Sequence, residues 1–477
     1  MISWKNIFYG LGILLLILAG LMLIPAMVDL CQHSDTFADF IVAGIFCCFL
    51  GGVFYFSCKT DDRVIFGAQE GVLLIILTWF SVPLLAALPF AISSFQLSMT
   101  DCIFEATSLV TTSGASAIYD VKDFSDGFLL WRSILQMFGG IFYMFSCLYA
   151  FSPLKAGRVF APEHSMPLDY KFWDQLKKLL LIYLSLSFLV SLWLMSSGMS
   201  ILDSLCYSLA ALSTGGAIPD NNYSENLRSM NWLLPILMII GGCSITTLTN
   251  IFDRKNDAFD HRQFRYYLAL LLTVIVLAFS YAVFQSTGHV DAVDTFEKIF
   301  FLTVSSITTT GMGPDLASDF DQFLAATLYV VGFIGGCYGS CGGGVKIFRL
   351  MIILSLIKSY FIKSTHKNVV HVPTYAGHKL TGIEATALIS YFACGLAIAL
   401  VFSLLLCGCE MNFSKALGAV MTSMNNNGPF WGLHRATASE LATLGATAKI
   451  ILVVSMVAGR VDFVLLIMVI TRSFWRK

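Results

Sequence analysis

The sequence predicts an all-α, polytopic membrane protein: an N-terminal pair of spans followed by four copies of one unit, span, half-length helix, span. Three observations carry that prediction. Apolar residues (AVILMFWYC) make up 57% of the 477 positions, charged residues only 12%, and mean hydropathy is +0.77. Soluble domains hold roughly twice that share of charge, and a soluble interior of this length would leave large apolar patches in water. Apolar runs long enough to cross a bilayer recur along the whole chain, and short clusters of Thr, Ser or Asn ending in Gly recur between them. The formal net charge is -1, which leaves no basic face for nucleic acid, and no nucleic-acid module is visible.

A helical span takes about 20 apolar residues. Ten stretches qualify: 7–28, 39–57, 70–92, 128–151, 178–198, 231–251, 266–286, 323–357, 383–408 and 446–470. The first is too long for a signal-peptide core and lacks a small-x-small cleavage site, so it reads as a retained span. Four shorter apolar segments, 101–111, 201–212, 295–307 and 413–423, lie between later spans. At a helical rise of 1.5 Å per residue each crosses only about half of the hydrocarbon core. Lys and Arg concentrate in 155–178, 253–265, 346–380 and 472–477, for example Lys155, Arg158, Lys177, Arg254, Lys255, Lys346, Arg349, Lys363 and Arg476. The opposite loops hold few, among them Lys122, Arg228 and the span-flanking Arg132. The positive-inside rule therefore places the basic segments and both termini in the cytoplasm and the half-length segments on the outer side. Lys449, near an outer end, reads as a snorkelling residue.

The thirteen cysteines sit mostly inside apolar runs, where Cys acts as a small hydrophobe. Cys337-x-x-x-Cys341 and Cys407-Gly-Cys409 lack a convergent His or second Cys pair, so neither reads as a metal site.

The half-length segments run into four similar clusters: Thr111-Thr112-Ser113-Gly114, Leu212-Ser213-Thr214-Gly215, Thr308-Thr309-Thr310-Gly311 and Asn425-Asn426-Asn427-Gly428. Their glycines are 101, 96 and 117 residues apart. Such a period is the mark of an internal repeat. Irregular backbone at membrane depth persists only where protein buries it or where it lines a water-filled cavity. Four quasi-equivalent clusters meet that condition by converging on a common axis, a pseudo-fourfold arrangement around one pore. Gly frees the backbone to aim carbonyls inward. Carbonyls and hydroxyls from four sides can replace the hydration shell of a monovalent cation, and each half-helix turns the negative end of its dipole toward the same spot.

Residues 335–344 hold six glycines in ten inside the span 323–357. Each Gly costs about 1 kcal/mol in a helix interior relative to Ala, so the sequence predicts a broken helix. Gly339, Ser340, Cys341, Gly342 and Gly343 would form a loop beneath the filter, with Ser340, Cys341 and the loop carbonyls lining the cavity. The competing expectation is a close helix crossing through Gly335, Gly339 and Gly343. Arg460 lies mid-span, where an ionisable residue marks function by default. It reads as a fixed positive barrier near the loop, with Asp462 on another helix face and poorly placed as its partner.

These residues resemble the Trk/Ktr/HKT superfamily of potassium transporters, in its TrkH-like branch. The resemblance rests on Thr112-Ser-Gly-Ala-Ser116, Ser213-Thr-Gly-Gly216, Ile307-Thr-Thr-Thr-Gly311, the stretch Gly335-Gly-Cys-Tyr-Gly-Ser-Cys-Gly-Gly-Gly-Val-Lys346, and Gly459-Arg460-Val-Asp462, similar to the family's Gly-Arg-Leu-Glu. It covers essentially the whole chain, including the extra N-terminal pair. It implies K+ as the transported ion with no organic cofactor and a homodimer in the bacterial inner membrane. It also implies a gate controlled by a separate, cytoplasmic nucleotide-binding subunit of the TrkA-like kind. No Gly-x-Gly-x-x-Gly fingerprint occurs in this chain, so nucleotide control would come from another. Departures fall at Met312, where the family carries Phe; at Cys341, where it carries Thr; and at Asn427 and Phe430, where it carries Val and Gly. The last two predict slower or less discriminating conduction.

The expected units are 1–63, the N-terminal pair; 64–154, 155–252, 253–358 with the broken span, and 359–477, the four repeats. An intramembrane enzyme is disfavoured, since His164, His261, His366, His371 and His378 fall in loops. A secondary transporter coupled to H+ or Na+ also accommodates broken helices and internal repeats. Four parallel units suit a pore better than two inverted halves, yet channel-like conduction, coupled transport and a less selective K+/Na+ pathway stay open at this level.

Overall fold

The structure, a computed structural model, describes residues 2–59, 67–118, 121, 124–149, 170–219, 230–253, 262–285, 292–313, 322–366, 369, 371–375, 378–428, 430–431, 434–435 and 438–475. Helices α1 (Trp4–Cys31) and α2 (Phe37–Cys58) form the N-terminal pair. Their backbones touch where small residues face each other: a Cβ on Gly12 would lie 2.9 Å from the carbonyl oxygen of Gly51. Close approach of this kind drives helix association in lipid, where the hydrophobic effect between helices is lost.

Four repeats follow. The first is α3 (Ala68–Ala86) prolonged by α4 (Leu88–Ile92), then the half-length α5 (Met99–Val110) and α6 (Asp126–Tyr149). The second is α7 (Tyr170–Ser196), the half-length α8 (Ile201–Leu212), and α9 (Met230–Gly241) with α10 (Ile245–Phe252). The third comprises α11 (Arg262–Gln285), α12 (Ala292–Ile307), α13 (Gln322–Gly332) and α14 (Ile347–Thr365). A two-residue-strand hairpin, β1 (Thr374–Tyr375) with β2 (His378–Lys379), precedes the fourth. That repeat has α15 (Gly382–Cys407), the half-length α16 (Phe413–Asn425), a second small hairpin of β3 (Phe430–Trp431) and β4 (His434–Arg435), and short α17 (Ala438–Ala442). It ends with α18 (Ala446–Val461), α19 (Phe463–Ile470) and α20 (Arg472–Trp475). The architecture is thus all-α and polytopic, with four span–pore-helix–span units and an extra N-terminal pair.

Local sequence explains where the half-length helices begin. Ser98 and Ser200 cap α5 and α8, each hydroxyl accepting from the backbone N–H of an Asp three residues on, at 3.2 Å for Asp101 and 3.0 Å for Asp203. A capping oxygen satisfies an otherwise orphan helix donor, and an acid in the first turn suits the dipole. Each half-length helix packs on its own spans, and three pack also on the second span of the preceding repeat: α8 on α6, α12 on α9, and α5 on α18, which joins the fourth repeat back to the first. The outer helices α11 and α15 leave Leu272, Leu277, Leu400 and Leu404 exposed, the apolar surface that lipid covers. Asp29, buried near the end of α1, accepts from the Gly127 N–H at 2.8 Å and the Ser125 hydroxyl at 2.9 Å, fixing the N-terminal pair to the start of α6.

Seven helices among the described residues are long and apolar enough to span, and two further spans are bent pairs, by 107° between α9 and α10 and by 95° between α18 and α19. The tenth is the interrupted α13–α14. The continuous spans expected at 231–251 and 446–470 are therefore corrected to broken ones. Apolar residues flank both breaks, so hydropathy runs straight across them. The backbone turns at Gly242-Cys243 in one case and at Asp462, with φ +67°, in the other. The interruption between α13 and α14 is the predicted one, and the alternative of a continuous helix crossing through Gly335, Gly339 and Gly343 does not hold. The basic positions Arg63, Lys122, Lys155, Arg158, Arg228, Arg254, Lys255 and Arg476, with His164, His261 and Pro429, lie outside the described residues.

Candidate functional site

All four half-length helices end in the same backbone device. In the first, the N–H of Thr112 donates to the Leu109 carbonyl at 3.0 Å and that of Ser113 to Ser108 at 2.8 Å. The second has Thr214 to Ala211 (3.2 Å) and Gly215 to Ala210 (2.9 Å); the third Thr309 to Ser306 (3.1 Å) and Thr310 to Ser305 (2.9 Å). The fourth has Asn426 to Ser423 (3.2 Å) and Asn427 to Thr422 (3.1 Å). These are Schellman caps, which use a left-handed residue to satisfy terminal carbonyls. The left-handed residue is usually Gly; here it is Thr112, Thr214, Thr309 and Asn426, with φ of +53°, +52°, +59° and +49°. A β-branched residue there stores strain on the order of 1–3 kcal/mol, and such strain gathers at functional sites. Two residues on, Gly114, Gly216, Gly311 and Gly428 turn again at φ +71°, +73°, +71° and +64°.

That repetition corrects the register expected in the second repeat. The equivalent of Gly114 is Gly216, not Gly215, and Leu212 belongs to the end of α8, packed in the apolar core. The four equivalent quartets are 111–114, 213–216, 308–311 and 425–428.

The quartets form a closed ring. A Cβ on Gly114 would stand 2.5 Å from the Gly215 carbonyl oxygen, one on Gly216 would strike the Thr310 carbonyl, and one on Gly311 would stand 2.7 Å from Gly428 Cα. The circle closes where Asn426 Nδ2 donates to Ser113 Oγ at 2.8 Å. Fifteen of the sixteen residues are buried and Asn425 is half-buried. Met312 holds the ring from outside, its carbonyl accepting from Ser305 Oγ at 2.6 Å.

The Gly-rich stretch between α13 and α14 lies directly against this ring. The Gly343 N–H donates to Thr309 Oγ1 at 2.6 Å and the Gly344 N–H to the Asn425 carbonyl at 2.9 Å, while a Cβ on Gly342 would meet the Thr308 carbonyl oxygen at 2.7 Å. Arg460 completes the enclosure. Its Nε donates to the Thr111 carbonyl at 2.5 Å and its Nη1 to the Cys341 carbonyl at 2.8 Å, and the guanidinium stacks 4.6 Å from the centre of the Tyr143 ring. Arg460 therefore touches a quartet of the ring and the loop at once. The side chains of Ser340 and Cys341 do not line an open cavity, contrary to expectation. Ser340 Oγ donates to the Cys337 carbonyl at 2.7 Å, and Cys341 Sγ lies 3.0 Å from the Tyr183 hydroxyl, so both are turned into packing. Gly339 offers its carbonyl to the Ile245 N–H at 3.0 Å, docking the loop on α10.

Several charges near the ring were not legible as site residues. Glu105, wholly buried on α5, accepts from Arg132 Nε at 3.0 Å, Ser116 Oγ at 2.9 Å and the Ala117 N–H at 3.3 Å; Arg132 Nη1 reaches the Ile218 carbonyl at 3.0 Å. Arg132 thus braces the first and second quartets rather than flanking a span. Gln136 does the same, exchanging two hydrogen bonds with Ala217 at 2.9 and 3.1 Å. Lys449 does not snorkel: it is buried and paired with Asp101 at 2.5 Å, bolting α18 to α5. Lys346 and Arg349, counted among the cytoplasmic basic residues, are buried as well. Asp462 pairs with Arg349 and not with Arg460. The available signal is the presence of Glu105 beside the first Thr/Ser–Gly cluster and of Lys346 beside the Gly-rich run.

Comparison with known proteins places this geometry. Residues 37–475 match the family model described as TrkH, cation transport protein. The chain is similar to the Trk system potassium uptake protein TrkI of Halomonas elongata, at 28% identity over 99% of this chain and 97% of the relative. It is similar to TrkH of Salmonella typhimurium at 26% identity, over 98% of each chain. The crystal structure of the potassium transporter TrkH from Vibrio parahaemolyticus superposes with a TM-score of 0.90 at 25% identity, over 99% of this chain and 100% of that one. With its four capped half-helices around one ring, this chain belongs to the TrkH family of cation transport proteins.

Proposed function

We propose that this chain carries K+ across the bacterial inner membrane, with both termini cytoplasmic, through the ring formed by residues 111–114, 213–216, 308–311 and 425–428. The observation that carries the reading is the fourfold repetition of one strained cap. Its two turns in each quartet allow the carbonyls of consecutive residues to face a common axis from four sides, as a dehydrated monovalent cation requires. The uptake of potassium by the Trk relatives names the ion. Residues 339–343 and Arg460 act as the gate: the Gly343 N–H, the adjoining Gly344 N–H and the guanidinium occupy Thr309, Asn425 and Thr111, acceptors that face the ion in an open pore. The repeats divide near 64, 155, 253 and 359, the chain works as a homodimer, and a cytoplasmic nucleotide-binding subunit displaces the gate through segments following the third repeat.

Purified protein in liposomes tests the reading. Rubidium uptake competed by K+ and not by Na+ is expected, and Gly114→Ser is expected to raise Na+ flux relative to K+. Equal K+ and Na+ permeation in the wild type would sink the selective filter. Uptake that follows an imposed proton gradient, rather than the rubidium gradient, would move the assignment to coupled transport.

A further inference from the structure

We propose that Lys346 and Arg349, one turn apart at the start of α14, are positioning residues that latch the Gly-rich loop to the bend between α18 and α19, so that α14 moves the loop and Arg460 as one body. The inference rests on the reading of the loop and Arg460 as the gate.

Lys346 sits at the junction of loop and helix with φ +76°, a region that a non-Gly residue enters only under constraint. Its ammonium has no carboxylate partner among the described residues. Instead it donates to the Gly342 carbonyl and to Ser340 Oγ at 3.3 Å, and it lies 5.0 Å from the centre of the Tyr143 ring, the ring that Arg460 also stacks on. A buried ammonium is costly unless its donors are used, so the cation is kept where it ties the loop to its own helix. Three residues on, Arg349 donates to Asp462 Oδ2 at 2.5 Å, with its guanidinium 3.8 Å from the Tyr391 ring centre. Asp462 is the bend residue between α18 and α19, at φ +67°.

The contacts form a circuit. It runs from the Gly342 carbonyl to Lys346, along the first turn of α14 to Arg349, across to Asp462, back two residues to Arg460, and from Arg460 to the Cys341 carbonyl at 2.8 Å. A displacement of α14 either breaks a buried charged contact or draws the loop and the bend with it. Breaking one leaves an unpaired buried charge, which is strongly unfavourable. The glycines at 335, 339 and 344, all at positive φ, supply the hinge on which the loop can follow.

The test uses the full-length protein in nanodiscs, with hydrogen–deuterium exchange followed in segments 335–347 and 455–464, and rubidium flux measured in liposomes. Lys346→Met, Arg349→Gln and Asp462→Asn are each expected to speed exchange in both segments by about tenfold or more, while Asp462→Glu, which keeps the charge, stays within about twofold of wild type. Tyr391→Leu, which removes the stacking surface and no charge, is expected to act in the same direction and covers the case of a charge variant that does not fold. Acceleration confined to the segment that carries the substitution would overturn the latch. Arg460→Ala separates the two readings. If it raises flux while the latch variants leave the opposite segment unmoved, the gate stands and the latch fails. If exchange responds in both segments and no variant, Arg460→Ala included, alters flux, the latch stands and the gate reading fails.

Discussion

Replacing Arg460 by Gln removes the positive charge and keeps a planar donor that reaches the position of Nε but not that of Nη1. The guanidinium Nε lies 2.5 Å from the Thr111 carbonyl oxygen, so a K+ held on the far side of that oxygen would stand about 5 Å from the charge. At an effective dielectric of about 20 their repulsion is about 3 kcal/mol, a little over two decades in rate. The N–H groups of Gly343 and Gly344 still occupy Thr309 and Asn425 in the variant, so the full gain is not released. Basal rubidium uptake by liposomes without any partner is expected to rise between about tenfold and about two hundredfold, with K+ preferred over Na+ as before. Arg460→Lys is expected to fall between the two, because an ammonium keeps the charge but loses the fork that reaches Thr111 and Cys341 together. Uptake within twofold of wild type, from variant protein of wild-type elution profile, would refute the electrostatic barrier.

The register of the second repeat gives a sharper contrast. Gly216→Ala places a Cβ against the Thr310 carbonyl at φ +73°, and a flux loss of at least about tenfold with weakened K+/Na+ discrimination is expected. Gly215 is not at positive φ, and Gly215→Ala meets the Gln136 side chain rather than backbone, so a smaller loss of selectivity should appear in the same competition assay. Glu105→Gln leaves Arg132 buried with an uncompensated charge and should cost about 3–5 kcal/mol, read as a lower thermal midpoint in detergent; adding Arg132→Met should recover most of it. Asn427 Oδ1 is buried without a partner among the described residues, so Asn427→Val should stabilise the fold by about 1 kcal/mol, and no change in midpoint would show that the amide is satisfied in the membrane.

Hydropathy and internal periodicity made the helices, the four units and the Gly-rich break legible, because each depends on composition over ten or more residues. What stayed hidden depends on single backbone angles or on burial. Gly215-Gly216 offers two candidates for one turn, and only φ distinguishes them. The bend at Gly242 is flanked by apolar residues, and the charged pair Arg460 and Asp462 does not by itself signal a bend. Counting Lys and Arg by position treats all of them as solvated, whereas Lys346, Arg349 and Lys449 each sit in a niche built by residues distant in sequence. The departure at Asn427 was visible, but its packing against Gly332 was not.

The contacts that close the ring join positions 313, 348 and 349 residues apart: Asn426 with Ser113, Lys449 with Asp101, Arg460 with Thr111. During synthesis at roughly 5–20 residues per second, the first quarter therefore waits on the order of half a minute for the partner that covers it. Over that interval Asp101, the Thr111 carbonyl and the Ser113 hydroxyl lack their final donors in a medium where an unsatisfied polar group costs several kcal/mol. Assembly thus ends on its longest-range step, and a chain stopped before about residue 446 would carry an open polar seam into the bilayer, a distinctive surface for membrane quality control to grip.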